Sequence, residues 1–71
     1  MTDRAVADAL ARAHHDEWAR VVATLAGQFG DLGIAEDATA EAFAAAVERW
    51  PGDGVPANPG GWLTTTARRK A

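Results

Sequence analysis

The chain has no cysteine, no tyrosine and no serine, a single methionine, and only three tryptophans and two phenylalanines in 71 residues. Without cysteine there is no disulfide scaffold and no thiolate metal site. Without serine, the commonest hydroxyl nucleophile is missing. No run of about 20 apolar residues occurs. The start Met1-Thr2-Asp3-Arg4 lacks a basic segment followed by an apolar one, so neither a membrane span nor a signal peptide is expected and the protein should be soluble and cytoplasmic. Large apolar side chains are scarce as well: of the 34 residues that make the chain 48% hydrophobic, 18 are alanine, which leaves 16 to fill an interior. A chain of 7.4 kDa allows one small domain, and such a domain buries only about 60% of the surface its unfolded form exposes.

What the chain does have is alanine, and alanine loses no side-chain entropy in a helix. β-branched residues are too few and too scattered for strands, so an all-α fold follows. Charge is unevenly spread. Residues 1–61 hold all ten acids and four arginines, a balance of −6, whereas residues 62–71 hold Arg68, Arg69 and Lys70 and no acid. An acidic body with a basic end suggests two partners of opposite sign.

The pattern predicts three helices. Residues 4–29 contain no proline, and Val6, Leu10, Trp18, Val21, Val22, Leu25 and Phe29 recur at spacings of three, four and seven, the mark of one buried face. A bend, if present, would fall near His14-His15. Thr2 or Asp3 can cap the start, and Gly30 suits the left-handed conformation that ends such a helix. Asp31-Leu32-Gly33 is too short to do more than reverse the chain, so a second helix over residues 34–49 returns antiparallel. Its stripe is Ala35, Ala38 or Thr39, Ala42, Phe43, Ala46, Val47 and Trp50, with Phe43, Val47 and Trp50 as bulky anchors and small alanines allowing close approach. Glu36 and Asp37 are expected in its first turn and Arg49 in its last, each complementing the helix dipole.

Residues 51–57 hold two prolines and two glycines and should not continue a helix. Asn58-Pro59 then reads as an N-cap followed by proline at the first helical position. The third helix should run over residues 59–71 with Trp62, Leu63 and Thr66 or Ala67 inward. It carries no stop signal, and a cut helix of a longer protein is the expectation.

Catalytic machinery is not visible. His14, His15, Asp16 and Glu17 are adjacent, so on a helix they point to different sides, whereas metal ligands need spacings of three or four. His14 pairs with Trp18 instead, and a packed or solvated histidine pair is expected. Gly52 and Gly54 lack the lysine of a phosphate-binding loop. No cofactor and no metal are expected. The acids of the second helix say more. Glu36, Asp37, Glu41 and Glu48 occur with no basic residue before Arg49, and Asp37 and Glu41 share a face at a spacing that costs a few tenths of a kcal/mol in an isolated helix. That face is either a docking surface for a basic partner or simply solvated.

The string Ala35-Glu36-Asp37-Ala38-Thr39-Ala40-Glu41-Ala42-Phe43, then Trp50, the Pro/Gly loop, and Asn58-Pro59-Gly60-Gly61-Trp62-Leu63-Thr64-Thr65-Thr66-Ala67-Arg68-Arg69 resembles region 2 of the extracytoplasmic-function (ECF) sigma factors of bacterial RNA polymerase. The stretch from Gly54 to Leu63 looks most like the subfamily with a C-terminal helical-repeat extension. The resemblance covers the chain from about Arg4 onward and implies a three-helix sigma region 2 bundle, truncated in its third helix, over residues 1–71. It implies a non-enzymatic part in transcription initiation: docking on the clamp helices of the polymerase β′ subunit and contact with promoter −10 DNA. Carried over by position, the polymerase-binding face comprises Asp37, Ala40 and Glu41, with Glu36 and Ala44 beside them; Arg68, Arg69 and Lys70 would lie along the DNA backbone, each neutralising a phosphate. Trp62 and Leu63 open the helix that in the family faces the melting promoter, and in this chain are expected to be mainly core.

The departures count too. Ala40 stands where many relatives have glutamine, and Arg69 where many have asparagine, which favours phosphate contact over base recognition. The family's base-capturing loop and its −35-reading module lie beyond the residues present, so DNA contact by this chain alone should be weak. The alternative expectation is a self-associating helical module, using apolar surface left open around Trp18, Trp50 and Trp62.

Overall fold

The computed structural model describes residues 3–71, which form three α-helices: α1 (Asp3–Phe29), α2 (Leu32–Asp53) and α3 (Pro59–Lys70). α1 is one uninterrupted helix through His14-His15. At 1.5 Å per residue it is about 40 Å long, and it sets the long dimension of a molecule measuring 38 × 19 × 17 Å. α2 and α3 pack across it and against each other. The cap expected from Thr2 or the Asp3 side chain lies outside the described part of the chain. No described helix is long and apolar enough to cross a membrane.

The core is narrow and rich in alanine. Val6, Ala13, Val21, Val22 and Leu25 of α1 meet Ala35, Ala38, Ala42, Ala46 and Trp50 of α2 and Leu63 and Ala67 of α3. Small residues at spacings of three and four along α2 let the other helices approach its backbone. Thr39 is buried among them because its Oγ1 donates to the Ala35 carbonyl at 2.7 Å, so the hydroxyl is satisfied within the helix. Trp50 is the largest buried side chain, 1% exposed. It meets Trp62 edge-on at 5.5 Å. Its Nε1 finds no acceptor among the described residues, so apolar packing alone holds the ring.

Each turn has a local cause. Gly30 adopts φ +69° and donates to Ala26 O at 2.8 Å, closing α1 in a conformation that favours glycine. Asp31 then caps α2, its Oδ1 accepting from the Ile34 N–H at 2.9 Å. The expected start near Ile34 is therefore two residues late, and the connection shrinks to Gly30 and Asp31. At its other end α2 continues through Pro51 to Asp53 instead of stopping at Arg49. Proline deprives only the carbonyl four residues earlier; that carbonyl belongs to Val47, whose side chain faces solvent, where water can replace the lost bond. Gly54, at φ +89°, closes the helix by donating to Trp50 O at 2.8 Å. With both ends displaced, Glu36 and Asp37 fall outside the first turn and Arg49 outside the last, so the expected dipole pairing is absent. Asn58 caps α3 as its motif predicts, its Oδ1 accepting from Gly61 N–H at 3.0 Å with Pro59 following.

Two residues expected to face the core, the anchor Val47 and Phe29 of the α1 face, lie outside. Val47 is 57% exposed and Phe29 44%. Phe43 is half-buried, and Ala13, absent from the predicted face, is buried. Nor are the tryptophans an open apolar surface: Trp50 is enclosed, and Trp18 and Trp62 are half-covered. Among the described residues the exposed large apolar ones are Phe29, Leu32, Ile34 and Val47.

Candidate functional site

The inward stripe of α2 fixes what its outer face presents. With Ala35, Ala38, Ala42, Ala46 and Trp50 buried, Glu36, Asp37, Ala40, Glu41, Ala44 and Glu48 are all exposed. Asp37, Glu41, Ala44 and Glu48 follow one another at spacings of four, three and four, so they line one edge of the helix. Ala40, Ala44 and Val47, at spacings of four and three, line the neighbouring edge. The result is a carboxylate ridge with a shallow apolar strip beside it. Among the described residues no ion pair engages these carboxylates. The sequence places Val47 inward because it lies four residues after Phe43, and in a helix so full of alanine either register is open; its alignment with Ala40 and Ala44 is the signal for the outer face.

The three basic residues of α3 do not form a row. Consecutive helical residues turn by about 100°, so each points elsewhere. Arg68 leans toward α1, where its Nε donates to Gln28 Oε1 at 3.1 Å. Lys70 leans toward α2 and lines a shallow depression with Glu41, Ala44 and Glu48. Arg69 lies between them, beside Asn58, Trp62 and Thr66 on one side and near Arg49 and Glu48 on the other. Arg49 and Gln28 carry no sequence signal that would place them here, since their partners come from another helix. Leu63 is core, whereas Trp62 leaves part of its ring at the surface.

The histidines divide as their neighbours dictate. His14 stacks on Trp18 at 5.2 Å with a 28° interplanar angle and meets Phe43 edge-on at 5.2 Å. His15 is solvated, its Nδ1 3.0 Å from Asp16 Oδ1. Among the described residues no group of three or more histidine, cysteine, aspartate or glutamate side chains is placed to hold a metal ion.

The arrangement can therefore do two things: offer unpaired carboxylates to a basic rod, and offer separated cations to phosphates. The family model of sigma-70 region 2 matches residues 10–71. No curated protein and no solved structure matches.

Proposed function

The chain belongs to the sigma-70 region 2 family, a non-catalytic domain of transcription initiation, and from that premise we propose that α2 docks on the clamp helices of the RNA polymerase β′ subunit. The observation that carries this reading is the outer face of α2, on which Glu36, Asp37, Ala40, Glu41 and Ala44 are exposed together. Carboxylates held on one helical edge suit arginines of a partner coiled coil, because charge-assisted hydrogen bonds are about twice as strong as neutral ones. Val47 adds an apolar contact beside Ala44. The Gly54–Leu63 motif supports membership of the ECF group, in the subfamily with a C-terminal helical-repeat extension.

Arg68, Arg69 and Lys70 contribute contact with promoter −10 DNA, chiefly through phosphates. Asp37→Arg or Glu41→Arg is expected to abolish capture of a β′ clamp-helix fragment while the circular dichroism spectrum and melting temperature stay as in wild type. Equal capture by wild type and variants rejects the docking face. A second reading, self-association, draws on the exposed Phe29, Leu32 and Ile34 at the α1–α2 corner; sedimentation at several concentrations separates the two, since a monomer throughout removes it.

A further inference from the structure

Arg20 belongs to neither surface described above, yet it faces one of the open grooves of the fold. Along one side of the bundle α1 and α3 part to leave a groove of about 350 Å³, with Arg20 and Thr24 on one wall and Gly60, Thr65 and Arg68 on the other. The Arg68 Nε–Gln28 Oε1 bond joins the walls and orients the guanidinium. A guanidinium has five N–H donors, and this bond takes one of them. The Arg20 side chain is 77% exposed, and its contact with Glu17 is 3.9 Å long, beyond hydrogen-bond distance.

Among the described residues Glu17 is the one acid that lines the groove, and it is largely covered. Its side chain is only 20% exposed, and its carboxylate lies over Gly60 so closely that a Cβ there would sit 2.5 Å from Oε2. The hydroxyls of Thr24 and Thr64 donate to Arg20 O and Gly60 O. The two arginines, the side-chain amide of Asn58 and the exposed Thr65 are thus donors left for an anion.

We propose that this groove is a second track for nucleic-acid backbone phosphates, with Arg20 and Arg68 as its cations. Two guanidiniums on different helices, flanking an open polar groove, match the repeating charge of a strand better than they match a single small anion. The track lies on the opposite side of α3 from Lys70 and the carboxylates of α2, so a strand following it avoids the acidic ridge. The inference rests on the reading that α3 contacts DNA and adds α1 to that contact.

The test is binding of the 71-residue chain to a fluorescein-labelled DNA duplex across a salt series. Arg20→Ala should weaken binding about three- to fivefold at moderate salt and lower the slope of log K against log salt by about 0.9, the loss of one phosphate contact. Glu17→Gln, nearly isosteric, should strengthen binding about twofold by removing the one carboxylate that lines the groove among the described residues, a gain that mere structural damage would not produce. Arg69→Ala serves as the reference. If Arg69→Ala weakens binding while Arg20→Ala and Glu17→Gln leave it unchanged, the groove is not a phosphate track although α3 does contact DNA. If no variant changes binding, the DNA reading of α3 falls and the track with it.

Discussion

α2 and α3 carry opposite charge, but they differ more in how that charge is laid out. On α2 the acids recur at helical spacing, so one edge presents them together as a ridge. On α3 the cations are consecutive, so helical rotation spreads them over three directions: Arg68 toward α1, Arg69 outward, and Lys70 toward α2. Spacing alone can therefore make charges a surface or a scatter. A ridge suits a rigid rod of complementary charge, where several contacts form at once. Scattered cations suit a flexible polyanion, whose phosphates can reach each one separately.

The largest expected effect tests what holds the two helices in register. Trp50 is enclosed and meets Trp62 across the α2–α3 contact, so Trp50→Ala should cost about 3–5 kcal/mol, much of the stability of a domain this small. Chemical denaturation should show it, with clamp-helix capture and DNA binding lost together. By contrast Glu41→Arg, on the exposed edge, should shift stability by less than about 0.5 kcal/mol while removing capture alone. Loss of both functions in Glu41→Arg, or of neither in Trp50→Ala, would break the distinction between a face that holds the fold and a face that serves a partner.

A smaller effect concerns the start of α3. Asn58→Ala removes the side-chain acceptor for the Gly61 N–H and should cost about 1 kcal/mol, read as a lower melting temperature. Because the cap also sets where the α3 rotation begins, the variant should weaken DNA binding more than it weakens clamp-helix capture. Equal loss in both would mean that α2 and α3 do not act separately.

Much of this layout was legible in the residues because its causes are local. Asn58-Pro59 caps α3 and Gly30 ends α1 through bonds within four residues, and the alanine stripe of α2 needs only helical spacing to be seen. The bounds of α2 were harder for a physical reason. Asp31 is a standard cap, but Gly33 two residues later suggests a break; Pro51 suggests a stop, yet in a last turn it deprives only the carbonyl of Val47, an exposed residue, and Gly54 finishes the helix. Val47 itself was ambiguous because a stripe made mainly of alanine gives little contrast between inside and outside. The turning of Arg68 toward α1 depends on Gln28, a partner 40 residues away, and no local pattern carries that. The exposure of Glu36, Asp37, Ala40, Glu41 and Ala44 follows directly from the buried stripe.

The smallest expected effect bears on Lys70, where the two regions meet. Lys70 lines the same depression as Glu41 and Glu48, so its charge partly offsets the ridge. Lys70→Ala should therefore strengthen capture of a basic clamp-helix fragment slightly, about twofold at low salt, with the gain disappearing as salt screens the surface. The same substitution should weaken DNA binding by a similar factor. Opposite shifts in the two assays, both fading with salt, are what a cation beside an acidic ridge that also contacts DNA must produce; shifts of the same sign would mean that Lys70 acts through folding and that the surfaces are electrostatically independent.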